Sequence, residues 1–182
     1  MKHRVWRVET AGGPFKEAEV TRDVLRPGEV LVRIAASGVN PLDTKIRTGK
    51  AEHAKQPLPA VLGLDMAGTV EEAGAGVTEF RPGDEVFGMV GGVGGRQGTL
   101  AEYVAADARL LAHKPKTLLM REAAVLPLST ITAWEGLVDR AQVHAGQKVL
   151  VHAGAGGVGH ICVQIALAFG ADVYATVSAV RG

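Results

Sequence analysis

A chain of 182 residues suits one domain or one and a fraction of a second, and with 47% hydrophobic and 21% charged residues it can bury a sizeable core. A formal charge of +1, from 20 basic and 19 acidic residues without a long basic stripe, argues against nucleic acid or an anionic membrane as partner. One cysteine, Cys162, excludes an internal disulfide and a cysteine-rich zinc site, and no apolar run approaches the ~20 residues of a membrane span, so a soluble, cytoplasmic protein is expected.

Taken in chain order, residues up to about Lys114 read as short strands divided by Gly and Pro. They are Glu29 to Ala36 after the Pro27-Gly28 turn, Gly68 to Ala73, Asp84 to Gly88 after Pro82-Gly83, Leu100 to Ala105, and Arg109 to His113. Such spacing predicts a compact antiparallel barrel rather than alternating strands and helices. Between them, the stretch 88–99 holds six glycines and has two readings: a mobile surface loop, or a lid or wall of a substrate cleft. The 24 glycines of the chain are about twice the usual share, consistent with many tight turns.

After Pro115 the pattern becomes helical over Leu118 to Val125 and Ser129 to Arg140, with Pro127 between them and Ser129 or Thr130 as a cap for the second. Val149 to Ala153 is a continuous apolar run, expected to be a strand buried on both faces. A helix over Gly157 to Phe169 and a second strand over Val173 to Val177 complete one βαβ unit. The expected boundary places one domain at 1–125 and the second at 126–182.

The turn of that unit carries Gly154, Gly156 and Gly159, a G-x-G-x-x-G between an apolar strand and a helix, with Gly157 and Val158 inside it. Gly154 is expected to allow the tight turn, Gly156 to let backbone approach a diphosphate, and Gly159 to let helix and strand pack closely. The helix start adds amide donors and a positive dipole end, so the unit reads as the beginning of a Rossmann dinucleotide-binding domain. No acidic residue stands at the end of the second strand, where one would hold a ribose 2′-hydroxyl. Ser178 and Arg181 stand there instead, which favours NADP(H) over NAD(H), Arg181 being equally readable as a solvated tail. Cys162 reads as a buried small hydrophobe and His152 as a satisfied core or turn histidine.

The segments Gly38-Val-Asn40-Pro-Leu-Asp43, Gly63-Leu-Asp-Met-Ala-Gly68, Pro82-Gly-Asp-Glu-Val86, Ala101-Glu-Tyr103 and Thr132-Ala133, with the glycine turn, give the chain a strong likeness. It resembles the medium-chain dehydrogenase/reductase superfamily, and within it the zinc-independent quinone oxidoreductase (zeta-crystallin-like) branch. The resemblance implies a mixed α/β fold: an N-terminal GroES-like antiparallel β-barrel domain, then the first βαβ unit of the nucleotide-binding domain. Zinc-dependent members would carry Cys-His and His-Glu where this chain has Asn40-Pro41 and Leu64-Asp65, and none of its six histidines pairs at ligand spacing, so no zinc is expected.

By resemblance the activity is hydride transfer from NADPH to a quinone or an activated enone, a small-molecule substrate that needs no Lewis acid. Asn40 would lie near the nicotinamide ribose or the substrate carbonyl, donating to developing oxyanion charge, or would serve only as a turn residue before Pro41. Asp43 would orient polar neighbours such as Arg47. Lys45, where the family often has Tyr, would stabilise an enolate or quinolate or stand solvated. Thr132 matches the family's threonine beside the nicotinamide, or pairs with a helix carbonyl. A homodimer or homo-oligomer is expected, and a non-enzymatic dinucleotide-binding protein of the same fold, or an inactive fragment of the enzyme, is the alternative reading.

Overall fold

The computed structural model describes residues 2–22 and 24–179. The chain divides into two compact units, residues 1–127 and 128–182.

The first unit is built from β1 (Lys2–Val8), β2 (Phe15–Thr21), β3 (Glu29–Ser37), α1 (Pro41–Arg47), β4 (Ala60–Val61), β5 (Asp65–Ala73), β6 (Glu85–Met89), β7 (Tyr103–Asp107), β8 (Leu111–His113) and α2 (Met120–Ala123). Two antiparallel sheets result, ordered β2-β1-β4 and β7-β3-β5-β6-β8. They meet where Val5 bridges Ala101 and the Trp6 amide donates to the Leu100 carbonyl at 2.8 Å. In β1, His3 and Val5 point inward while Lys2, Arg4 and Trp6 point out, the period of two that a half-buried strand requires, and Val8 is buried outside that alternation. Central β3 differs, burying Val30, Leu31 and Val32 in succession.

The principal core joins Val30, Val32, Met66, Val70, Val86 and Val104 across the five-stranded sheet. Met66 is fully buried there, and Met66→Ala is expected to cost about 2–5 kcal/mol of stability, read as a lowered urea midpoint. An unchanged midpoint would contradict this core.

The 88–99 stretch is not the mobile surface loop that its glycines suggested. Gly91, Gly92, Gly98 and Thr99 are buried, and the Gly94 and Gly98 amides donate to the carbonyls of Lys55 and Val61. Gln56 holds it from the side, its Nε2 donating to the Arg96 carbonyl at 2.9 Å while its Oε1 accepts from the Gly95 amide at 2.8 Å. At Gly88, Gly91, Gly92 and Gly98 neighbouring backbone leaves no room for a side chain, whereas Gly94 and Gly95 face open space and take a positive φ.

In the second unit, α3 (Pro127–Trp134) continues as wider, π-type turns over Glu135–Arg140, followed by β9 (Lys148–Val151), α4 (Gly159–Ala168) and β10 (Asp172–Ala175). Pro127 opens α3, where its missing N–H costs nothing. Ser129 and Thr130 therefore lie inside the first turn and do not cap the helix. β9 and β10 run parallel, Lys148 beside Asp172 and Val151 beside Ala175. The core of this unit gathers Val143, Ala166 and Ala171 with Leu137, Val149 and Val173.

The expectation that β9 is buried on both faces is overturned: Leu150 is 58% exposed. Among the described residues the parallel sheet has only these two strands, and α4 covers one face. Leu167, Phe169 and Tyr174 are exposed for the same reason. No helix among the described residues is long and apolar enough to cross a membrane.

Candidate functional site

The turn between β9 and α4 is set by Ala153, whose φ of 58° is left-handed, a conformation that costs a non-glycine residue roughly 1–2 kcal/mol. The tight turn thus falls on Ala153 rather than on Gly154. Gly154 is required for another reason: a Cβ there would lie 2.7 Å from the Ala175 Cβ on β10. A Cβ on Gly159 would come within 2.1 Å of the Ala153 carbonyl oxygen and 3.0 Å of the Gly154 Cα, so helix and turn touch backbone to backbone. Gly156 sits beside the same carbonyl and its amide donates to it at 2.9 Å.

Thr176, which the sequence did not single out, ties the turn to the end of β10. Its carbonyl accepts from the Gly154 amide at 2.9 Å, its own amide donates to the Val151 carbonyl at 3.0 Å, and its hydroxyl lies 3.1 Å from His152 Nδ1. His152 is satisfied in this way but exposed, a turn histidine and not a core one. The amides of Gly157 and Val158 have no acceptor among the described residues. With the positive end of α4 behind them, they offer donors to an anion. The turn fits a diphosphate: it is bare of side chains at Gly156 and Gly157, where a Cβ on Gly157 would meet nothing nearer than 3.6 Å.

Ser178 is exposed three residues beyond β10, and Arg181 lies outside the described residues. The Thr132 hydroxyl donates to the Leu128 carbonyl at 2.7 Å, the helix-carbonyl pairing that was its second reading. Cys162 is half-buried, and burial pushes its thiol up, away from the reactive thiolate.

In the first unit, Asn40 caps α1, and Pro41 follows as the first helical residue. Asn40 is buried, and its Nδ2 donates to Asp65 Oδ2 at 2.9 Å. The N–H expected to face an oxyanion is therefore already held by a carboxylate. Asp43 reaches back along α1, its Oδ2 accepting from the Asn40 amide at 2.7 Å. The expected pairing of Asp43 with Arg47 is not found. Arg47 turns to the 12–13 loop instead, its Nε and an Nη donating to the carbonyls of Gly13 and Gly12 at 2.9 and 3.1 Å, its guanidinium 5.5 Å from the Phe15 ring centre. Beside it lies a largely apolar cleft of about 370 Å³ lined by Trp6, Phe15, Asp43, Arg47, Leu62 and Leu100. Lys45 is exposed and does not line this cleft.

Asp65 and Thr99 are the site residues that sequence reasoning missed, and both are fully buried. The signal was present: Asp65 is the lone charge in the apolar run Ala60 to Ala67, and a charge in such a run must be buried with partners.

Burial pushes the Asp43 carboxyl above the ordinary aspartate range, opposed by N–H groups of Asn40 and Leu64. The folded state thus binds this proton more tightly than the unfolded chain. The resulting stability is full below the unfolded pKa of about 4 and is lost as pH rises through the higher folded value. Asp43→Asn is expected to flatten that decline, and urea midpoints taken across the acid range check it. An identical slope in the variant would refute the assignment.

Residues 26–116, half of the chain, match the alcohol dehydrogenase GroES-like domain family, and the chain belongs to it, within the medium-chain dehydrogenase/reductase superfamily. It is 42% identical over 167 residues to the 2-methylene-furan-3-one reductase of Solanum lycopersicum, covering 89% of this chain and 43% of that protein. It is 42% identical over 154 residues to the chloroplastic NADPH-dependent alkenal/one oxidoreductase of Arabidopsis thaliana, covering 82% of this chain and 40% of that protein. The crystal structure of an alcohol dehydrogenase superfamily protein from Novosphingobium aromaticivorans superposes with a TM-score of 0.96 at 60% identity, over 97% of this chain and 54% of that one. The chain thus spans about half the length of the relatives it matches.

Proposed function

We propose that the protein to which these residues belong is an NADPH-dependent reductase of conjugated enones or quinones that works without zinc. The observation that carries this reading is the 153–159 turn, where a left-handed Ala153, the close contact at Gly159 and the donor amides of Gly157 and Val158 leave a side-chain-free mouth at a helix start. Residues 1–125 would act as the substrate-binding GroES-like domain and 126–182 as the opening βαβ unit of the nucleotide-binding domain.

Gly154, Gly156, Gly157, Val158 and Gly159 would hold the diphosphate, and the exposed Ser178 would meet the 2′-phosphate, together with Arg181. Preference for NADP(H) is supported by the absence of a carboxylate after β10 and by the NADPH dependence of the alkenal/one oxidoreductase relative. Zinc independence is supported by the donor set: Asn40-Pro41 and Leu64-Asp65 leave too few ligands where a catalytic zinc needs three.

When bound, the reduced nicotinamide supplies a hydride. Gly157 and Val158 amides anchor the nucleotide, and Thr132, whose hydroxyl oxygen keeps lone pairs beyond its bond to Leu128, offers an acceptor. Asn40 would stand on the substrate side, and Asp43 keeps that residue at the start of α1.

Calorimetric titration of the intact protein with NADPH and NADH, followed by NADPH oxidation with an α,β-unsaturated ketone and a simple quinone, tests this. Tighter binding of NADPH and turnover of at least one acceptor are expected. Lack of affinity for both nucleotides would overturn it.

A further inference from the structure

We propose that Asp65 is a positioning residue for Asn40: its buried carboxyl accepts from the amide nitrogen and holds that side chain in one orientation at the start of α1. The proposal rests on the reading above, in that it takes Asn40 to belong to the working site.

Asp65 is 0% and Asn40 7% exposed, so the 2.9 Å bond between them is screened little by water. An ionised carboxylate has only acceptors. An Asn40 amide flipped by 180° would set its carbonyl oxygen against that carboxylate, two acceptors at bonding distance inside the protein. With Asp65 ionised, one orientation is therefore strongly preferred.

Asp65 is itself clamped. Its carbonyl oxygen accepts from the Gly38 amide at 2.9 Å and lies 3.0 Å from Thr99 Oγ1 and 3.2 Å from Ser37 Oγ. The two hydroxyls are 2.6 Å apart, so their two hydrogens are shared among three contacts. Gly38 packs directly on the aspartate, a Cβ there falling 3.1 Å from the Asp65 Cβ. β5 begins at Asp65, opposite Met89 of β6. The carboxylate thus hangs from the start of the central strand β5, while the Asn40 backbone is fixed separately by Asp43.

Sequence comparison with zinc enzymes marks position 65 only as a missing ligand, whereas its geometry gives it work of another kind.

The test uses the intact protein, labelled with ¹⁵N at asparagine side chains. In the wild type, an Asn40 Nδ2 hydrogen is expected to exchange slowly with solvent. Asp65→Asn keeps an acceptor oxygen and is expected to preserve this protection and most of kcat. Asp65→Ala removes the acceptor and is expected to lose the protection and to lower kcat about tenfold with KM little changed, the signature of a misplaced group.

A folded Asp65→Ala with wild-type kcat would overturn the proposal, as would an Asp65→Asn as impaired as the alanine variant. Rapid exchange of both Asn40 hydrogens in the wild type would overturn it too. Should Asp65→Ala fail to fold, protection in the wild type and in Asp65→Asn decides the matter. Absence of enone and quinone turnover in the wild type would sink the functional reading instead, and the exchange measurement would still judge the tether.

Discussion

Gly159→Ala is expected to weaken NADPH binding by the intact protein at least about 100-fold, a loss of roughly 2.7 kcal/mol. The added methyl would stand 2.1 Å from the Ala153 carbonyl oxygen and 3.0 Å from the Gly154 Cα, all backbone or nearly so. No rotamer change can relieve the clash, so α4 must move away from the turn, and the Gly157 and Val158 amides move with it. Overpacking of this kind also costs about 1–3 kcal/mol of stability. Gly136→Ala is the control, since its Cβ meets nothing within 4 Å and the fold should tolerate it. Calorimetry reads the affinity and thermal unfolding reads the fold. Wild-type affinity in Gly159→Ala would remove the main support for a dinucleotide site.

The second large effect is expected in the 88–99 stretch. Alanine at Gly91 would put a methyl 1.8 Å from the Gln97 carbonyl oxygen, and alanine at Gly98 would put one 2.3 Å from the carbonyl of Leu62. Each should destabilise the first unit by about 3 kcal/mol, at the upper end of overpacking. Gly95→Ala enters open space, yet its φ of 81° is unfavourable for a side chain, so about 1 kcal/mol is expected. The ranking, read from urea midpoints, separates a pinned wall from a loose loop. Equal, small losses at all three positions would mean the stretch is loose after all.

Much of the secondary structure was legible because its signals are local. β3, β6 and β8 lie within a residue or two of the expected strands, β3 and β6 being announced by β-branched residues after Pro-Gly turns. The short helix α1 was missed, since seven residues carry too little periodicity to stand out and its cap, Asn40, reads equally well as a turn residue. The pairing of β1 with β2 was also beyond a local reading, because β2 is mostly exposed and shows no clear apolar face. In the 88–99 stretch, glycine content signalled freedom in the chain, whereas the fold uses the same residues for close backbone contact.

The residue order by itself determined the class of fold, the position of the glycine turn and the unsuitability of Asn40, Pro41 and Leu64 as zinc ligands, for these depend on neighbours in the chain and on side-chain chemistry. Only the tertiary structure decided that Asp65 meets Asn40 across 25 positions of sequence, that Arg47 leaves Asp43 for the carbonyls of residues 12 and 13, and that Ala153 takes the left-handed turn. Hydrogen bonds between distant segments form according to which backbones the sheets bring together. That arrangement is a property of the packed whole, which no short window of sequence contains.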